Sequence, residues 1–119
     1  MSDYALFLGW NRPARGREAG ALAVLGESVQ FFGELQEAGG IESFEVFLLE
    51  PHGGDLNGFI LIRGELADLN RLRHENERFA TMLVKNQLYV DGLGVLGATT
   101  GAAISQTMGI FSAALGELS

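Results

Sequence analysis

The sequence contains no cysteine and only two prolines, and it is short of basic residues. The lack of cysteine excludes disulfide bonds, thiolate metal sites and a cysteine nucleophile. Eight Lys and Arg stand against fifteen Asp and Glu, which gives a formal net charge of −7. Nucleic acids and anionic membranes both attract basic surfaces, so this charge argues against either as a partner.

The sequence also lacks long apolar runs and a recognisable secretory signal. Its longest apolar runs are far shorter than the roughly 20 residues that span a bilayer. The chain opens with an acidic Met1-Ser2-Asp3, and the apolar segment 4–10 is too short for a signal with a cleavage site. We therefore expect a cytoplasmic protein, whose 119 residues form one domain.

The apolar spacing predicts four strands and three long helical segments. The strands are expected at 4–10, 41–50, 58–63 and 88–96, and the helices at 17–38, from Glu65 onward, and at 102–118. The polar Asn76 interrupts the second helical pattern and indicates either a kink or a break into two helices. The order β-α-β-β-α-β predicts a ferredoxin-like α+β domain with a core over about 4–96, a four-stranded antiparallel sheet and an extra C-terminal helix.

The first helix has a predicted apolar stripe and a predicted stop. The stripe repeats at steps of three and four residues and comprises Leu22, Leu25, Val29, Phe32 and Leu35. Gly39 and Gly40 indicate a left-handed cap at its end. Glycines inside the helix, such as Gly20 and Gly26, would let it lie close to the sheet.

Two predicted strands are apolar on both faces. The runs "VFLL" (46–49) and "FILI" (59–62) leave no polar face for solvent. Since each buried large side chain contributes roughly 1.5–3 kcal/mol, both faces should be covered. The expected cover for the second face is another copy of the sheet, related by a two-fold axis. The C-terminal helix is the alternative cover, either on its own sheet or on the partner subunit.

In layout the chain resembles the dimeric α+β barrel proteins, in which two ferredoxin-like subunits pack sheet against sheet. The resemblance covers about 4–96 and rests on element order, double-faced strands and "LNRLRHENERFATMLVKNQLYVDGLGV", where a charged helix leads into the fourth strand. It implies a homodimer and, where members are active, a pocket between the sheet and the helices. Cofactor-free oxygenases of aromatic substrates, isomerases, haem-degrading enzymes and many proteins of unknown role share this layout.

The segment "GWNRPARGR" (9–17) holds the densest group of candidate site residues. Trp10, Asn11 and Arg12 end the first strand, while Arg15 and Arg17 lie near the start of the first helix. Arginines beside helix N–H groups can hold an anion. By resemblance to the cofactor-free oxygenases, the Trp and Asn would orient an enolate or a flat aromatic ligand. The alternative is a solvated loop in which Trp10 closes the edge of the core.

Strand positions supply further candidates. Arg63 continues the parity of Phe59 and Leu61 and would need a carboxylate or ligand partner if buried. Asp91, which would share one parity with Tyr89 on the fourth strand, is a conceivable partner. Exposure at the strand end is the alternative for Arg63.

The two histidines are weaker candidates. His52 follows Glu50 in a loop and could form an acid–base pair or half of a metal site with it, but loop histidines are usually exposed. His74 and Glu77 are three residues apart on a predicted charged helix face. "GLGVLG" (92–97) matches a dinucleotide-binding pattern by letters only, because it falls inside a predicted strand. We expect neither a cofactor nor a metal.

Two functions follow from these patterns. The first is a homodimer, joined through the sheet face, that binds a small apolar or aromatic molecule and is a candidate cofactor-free oxygenase or isomerase. Its expected catalytic residues are Trp10, Asn11, Arg12 and Arg63. The second is a non-catalytic dimerisation, structural or sensing module with a filled core, which the eight phenylalanines favour. A cavity with converging polar groups would distinguish the first from the second.

Overall fold

The computed structural model describes residues 3–118, and their elements alternate in the predicted order. The elements are β1 (Tyr4–Trp10), α1 (Glu18–Glu37), β2 (Ser43–Leu48), β3 (Gly58–Arg63), α2 (Leu66–Glu75), α3 (Glu77–Asn86), β4 (Gly94–Thr99) and α4 (Ala103–Leu118). The strands form one sheet in the order β2-β3-β1-β4, and every neighbouring pair is antiparallel. The predicted ferredoxin-like α+β fold is confirmed.

One face of the sheet packs on the helices. Leu6 and Leu8 of β1 and Ile60 and Ile62 of β3 are buried in a single apolar cluster with residues of α1, α2 and α3. Phe32 lies at the centre of this cluster and is completely buried. The even-numbered residues of β1 and β3 therefore face the helices, which the two apolar parities left undecided.

The opposite face, which we call the open face, carries a row of aromatic rings. Phe7, Phe59 and Phe47 lie on three adjacent strands, and their ring centroids are 4.8 Å and 4.6 Å apart in successive stacked pairs. Leu61 belongs to the same face of β3, and Leu96 of β4 pairs with Phe7 in the register. No helix among residues 3–118 covers this apolar surface, because the core cluster that packs on the helices lies on the other side of the sheet.

The predicted stripe of helix α1 is only partly confirmed: Phe32 is buried and Leu25 and Leu35 pack against the core, but Leu22 and Val29 are exposed. The buried residues of α1 are Ala21, Val24, Ser28, Phe31 and Phe32. Leu22 is 74% exposed, so the predicted stripe was wrong there by one helical position. Small Ala and Ser side chains bring the helix close to its neighbours, and the pattern of large residues alone could not show this. The predicted left-handed cap is present at Gly39, with φ of +79°.

The predicted interruption at Asn76 is a break between two helices. Asn76 has extended backbone angles, and its side-chain oxygen accepts a hydrogen bond from the Phe79 N–H at 2.9 Å. It therefore caps the start of α3. His74 and Glu77 fall on different helices, so the expectation that they share a helix face was wrong.

Strand β4 begins six residues later than predicted. Residues 88–92 instead bond to the loop after β1: Asn11 N–H donates to the Asp91 carbonyl and Ala14 N–H to the Tyr89 carbonyl, both at 2.8 Å. Gly92, with φ of +66°, then turns the chain into the sheet. Tyr89 and Asp91 are consequently not on a strand, which corrects their predicted parity.

Helix α4 makes little contact with the rest of its own subunit. None of its described residues is buried. A stripe of large apolar side chains along it is 47–85% exposed and consists of Ile104, Met108, Phe111, Leu115 and Leu118. The alternative in which this helix covers its own sheet is therefore wrong.

Candidate functional site

A cavity of about 290 Å³ lies between α1 and the sheet, where the end of β1 meets the start of β3. Its walls are mainly apolar and include Leu8, Val24, Leu25, Ile60 and Leu93. Ligand pockets usually measure roughly 300–1,000 Å³, so this one suits a small ligand. Six residues bring polar atoms to its lining: Trp10, Asn11, Glu18, Ser28, Asn57 and Asn86.

Two asparagine side chains meet at one side of the cavity. Asn57 Nδ2 donates a hydrogen bond to Asn11 Oδ1. Their backbones are held as well, because Asn57 N–H donates to the Trp10 carbonyl at 2.9 Å and Asn11 N–H to the Asp91 carbonyl at 2.8 Å. Since its oxygen is engaged, the free end of the Asn11 amide is its pair of N–H donors. The pair is therefore a rigid source of hydrogen bonds beside an apolar wall.

The Trp10 ring covers Gly58, its cross-strand partner, and lines the cavity. A Cβ atom at position 58 would lie 2.6 Å from Cζ2 of the indole, so only glycine permits this approach. Every fully buried side-chain nitrogen of residues 3–118 has a hydrogen-bond partner. The Trp10 indole N–H has no protein acceptor among these residues. It must therefore be accessible to solvent or to a ligand. A second neutral donor thus stands next to the asparagine pair.

A buried hydrogen-bonded pair lies on the inner wall. Ser28 Oγ donates to the Val24 carbonyl at 2.8 Å and accepts from Asn86 Nδ2 at 3.1 Å. Ser28 is 1% exposed and Asn86 is 8% exposed. This pair links α1 to the end of α3 and adds polarity to an otherwise apolar wall.

Glu18 is the one titratable residue that lines the cavity among the described residues. Its Oε1 accepts a hydrogen bond from the Gly16 N–H at 3.0 Å. Hydrogen bonds from its own backbone N–H and from that of Gly16 lower the pKa of this exposed carboxyl below its ordinary value. Glu18 is consequently ionised near neutral pH and is a weak base.

The predicted site residues are divided between two faces of the sheet. Trp10 and Asn11 line the cavity, whereas Arg12 is exposed and does not contribute to the lining. Arg63 lies on the open face, paired in register with Ala5 at the far end of β1. Asp91 bonds to Asn11 at the other end of that strand, about 20 Å away at 3.4 Å per residue, so the suggested Arg63–Asp91 pairing was wrong.

Arg17 has a structural partner rather than a free guanidinium. Its Nη1 donates to the Leu88 carbonyl at 2.8 Å, and its Cζ lies 5.7 Å from the centroid of the Tyr89 ring. These contacts fasten the start of α1 to the segment before β4. Arg15 is exposed and lies outside the cavity lining.

Both histidines lie away from the cavity. In its loop, His52 Nδ1 accepts from the Gly54 N–H at 2.9 Å, which leaves Nε2 to donate to the Leu56 carbonyl at 2.6 Å. His74 is exposed near the end of α2. Within residues 3–118 no three His, Asp or Glu side chains group as metal ligands. None of the helices in this range is long and apolar enough to cross a membrane.

Sequence analysis missed Asn57, Ser28 and Asn86. A signal existed for Asn86, because it follows Phe79 and Met82 at helical spacing and so places an amide in the apolar stripe of α3. Ser28 likewise follows Ala21 and Val24. A polar residue within a buried stripe needs a partner and is therefore a candidate site residue.

Comparisons with known proteins support the fold. No family profile and no curated protein matches the sequence. Solved structures match it at low sequence identity, and five such chains do so. A dimeric protein of unknown function with a ferredoxin-like fold, from Bacteroides fragilis, is 11% identical, with a TM-score of 0.59 over 82% of this chain and 97% of its own.

Two further matches carry names of oxygenases. A protein from Chloroflexus aurantiacus, provisionally named an antibiotic biosynthesis monooxygenase, is 12% identical with a TM-score of 0.53 over 83% of this chain and 94% of its own. SnoaB, a cofactor-independent oxygenase from Streptomyces nogalater, is 16% identical with a TM-score of 0.55 over 84% and 95%. The chain therefore has the ferredoxin-like fold of these proteins, as its resemblance to the dimeric α+β barrels indicated.

Proposed function

We propose that this protein is a homodimer that binds a small, flat, mainly apolar molecule with an ionisable oxygen and promotes its oxygenation without a cofactor. The observation that carries the proposal is the cavity in which the Asn11–Asn57 pair and the Trp10 indole bring neutral donors to an apolar wall. The fold shared with a cofactor-independent oxygenase supports the same chemistry.

Neutral donors in an apolar cavity suit an enolate or phenolate oxygen. Such an anion is stabilised when fixed N–H dipoles point at it in a site with little water. The Asn11 amide is already oriented by Asn57, so its donors need no reorganisation when charge develops. A neutral apolar ring would pack between Leu8, Ile60 and α1.

The lining also limits the kind of substrate. Glu18 is exposed and has a lowered pKa, so it is too weak a base to remove a proton from an unactivated carbon. The substrate should therefore be a carbon acid or phenol that ionises readily once its oxygen is bound. Its carbanion would then react directly with O₂; for anthrone, uptake of one O₂ gives anthraquinone and one water.

The homodimer is proposed from the open face and α4. The stacked Phe7, Phe59 and Phe47 form a patch of the kind that soluble monomers avoid. A second copy would cover it by a two-fold axis, and the exposed stripe of α4 would extend the interface. The dimeric state of the protein from Bacteroides fragilis supports this arrangement.

The roles predicted for Arg12 and Arg63 stay predictions. Arg12 is exposed outside the cavity, next to Asn11. Arg63, on the open face, would lie at the proposed dimer interface rather than beside the Asn11–Asn57 pair. We therefore assign oxyanion stabilisation to Trp10 and Asn11, with Asn57 as the residue that positions Asn11.

A binding or sensing module without catalysis is the second candidate. It is favoured by the absence of a strong base from the described cavity lining. The filled core that such a module would have is less well supported, since none of the eight phenylalanines lines the cavity. Binding and turnover must therefore be measured separately.

Binding can be followed at the site itself, because Trp10 is the single tryptophan and gives one indole N–H resonance in a ¹H–¹⁵N spectrum. We expect 1-naphthol to shift this resonance and to bind more tightly than 1-methylnaphthalene, which has no ionisable oxygen. Oxygen uptake with anthrone then reports turnover. Binding of 1-naphthol without oxygen uptake would favour the sensing module, and no shift with either compound would refute the binding site.

Asn11→Leu tests the proposed catalytic role. Loss of one oxyanion donor typically lowers kcat by about 10²–10³-fold, and we expect a fall of this size in anthrone oxidation. Asn70→Leu is the matched control, because Asn70 is exposed on α2 and lies outside the cavity lining. Equal oxygen uptake by the two folded variants would contradict the role of Asn11.

A further inference from the structure

The Asn86 amide has a defined orientation in the inner wall. The single hydroxyl proton of Ser28 is donated to the Val24 carbonyl, so Ser28 Oγ can only accept from Asn86. Asn86 Nδ2 must therefore face Ser28. The Asn86 carbonyl oxygen is then directed away from Ser28. No other side chain among residues 3–118 donates a hydrogen bond to it.

The carbonyl oxygen of Asn86 is a buried acceptor with access to the cavity. Asn86 is more than nine-tenths buried, yet it lines the cavity. No side-chain oxygen of the described residues is both fully inaccessible and without a partner. Since no donor to Asn86 Oδ1 is present among residues 3–118, this oxygen must keep accessible surface, and the cavity that Asn86 lines offers a place for a ligand to reach it.

We infer that Asn86 is a specificity-determining residue whose carbonyl accepts a hydrogen bond from an O–H or N–H group of the ligand. This inference rests on the proposed function and deepens it. The ligand class becomes a flat molecule with two polar ends: an ionisable oxygen at the Trp10–Asn11 donors and a hydrogen-bond donor at the inner wall. A buried acceptor disfavours a ligand that lacks the donor, because the carbonyl then loses water without a replacement.

Two probes of similar size separate this role from simple filling of the cavity. 1,5-Dihydroxynaphthalene carries a second hydroxyl, and 5-methyl-1-naphthol carries a methyl group at the same position. Both retain the oxygen expected at Trp10 and Asn11. We expect the wild-type protein to bind the diol about tenfold more tightly, as measured by titration of the Trp10 indole resonance.

Asn86→Leu should reverse this preference. Leucine has nearly the shape of asparagine but offers an apolar surface, so the methyl compound should then bind more tightly than the diol. Because the preference is compared between variants, the two equivalent hydroxyls of the diol do not affect the comparison. If Asn86→Leu fails to fold, Asn86→Ala, which removes the carbonyl and leaves space, should abolish the preference instead.

Ser28→Ala distinguishes a specificity role from a structural one. It removes the hydrogen bond between α1 and α3 and with it the contact that orients the Asn86 amide. We expect it to lower Tm and to reduce the preference for the diol. A purely structural Asn86 would lower Tm in both variants and leave the preference unchanged in both.

Each outcome decides between the inference and the proposed function. Equal binding of the diol and the methyl compound by the wild-type protein, or an unchanged preference in Asn86→Leu, would overturn the role of Asn86 alone. Failure of 1-naphthol and both probes to shift the Trp10 resonance would overturn the binding site, and the role of Asn86 with it.

Discussion

Two glycines of α1 show how the surroundings of a residue decide its effect on stability. A Cβ atom at Gly20 would overlap the Tyr89 ring, whereas one at Gly26 would have no heavy atom within 4 Å. Neither glycine has a positive φ. Gly20 is therefore needed for the close approach of α1 to the segment before β4, while Gly26 only adds flexibility to the unfolded chain. Gly20 was expected to let α1 lie close to the sheet, but it instead lets α1 lie close to the Tyr89 ring.

Alanine at these two positions should have opposite effects. Gly26→Ala should raise the free energy of unfolding by about 0.5–1 kcal/mol, because alanine loses less backbone entropy in a helix. Gly20→Ala should lower it by about 1–3 kcal/mol through overpacking against Tyr89. Urea denaturation of the two variants measures both values, and each serves as the control for helix propensity in the other. A stabilised Gly20→Ala variant would show that the Tyr89 contact is absent in solution.

At the level of the element, adjacent residues of β3 lie on opposite faces of the sheet. Ile62 is completely buried in the helix-packed core, and its neighbour Leu61 points to the open face beside the stacked phenylalanines. Sequence alternation alone could not assign these roles, because both residues are large and aliphatic.

The same charge at these adjacent positions should have different consequences. Ile62→Glu should unfold the subunit, since an unpaired buried carboxylate costs several kcal/mol. Leu61→Glu should leave a folded subunit but abolish dimerisation through the open face. Circular dichroism reports folding and sedimentation equilibrium reports mass. A Leu61→Glu variant that remains a dimer would rule out the open face as the interface.

At the level of the whole molecule, α4 does not pack on the core of its own subunit. It has 16 residues, which is only just above the length of about 12–15 residues below which isolated helices are marginal in water even when rich in alanine. Its exposed stripe repeats at alternating steps of four and three residues, which is the spacing of a helix that packs on another surface. We therefore propose that a second subunit stabilises α4.

Lysines on the α4 stripe should weaken this association. The double variant Phe111→Lys and Leu115→Lys should shift the protein towards monomer and lower its helix content on dilution. Gln106→Lys with Ala113→Lys adds the same charge on the opposite side of the helix and should behave like wild type. None of these side chains is buried in the subunit, so the fold of each subunit should survive. Identical sedimentation of both double variants would contradict the proposal for α4.

The candidate site was only partly accessible to sequence analysis. Trp10 and Asn11 were found because they end a clear strand beside a turn. Asn57 lies 46 residues from Asn11, and Asn86 lies 58 residues from Ser28. Such pairs depend on which strands and helices become neighbours, and local patterns carry no information on that.

The sequence by itself determined the element order, the bounds of β1 and β3, the break at Asn76 and the presence of apolar residues on both strand faces. These features follow from local backbone preferences and from the spacing of apolar side chains. The tertiary structure decided which strand parity meets the helices and so placed Arg63 on the open face. It also decided the late start of β4, because the backbone of 88–92 pairs with the loop after β1 before it reaches the sheet. Hydrogen bonds and packing between distant segments determine these features, and they exist only once the chain has folded.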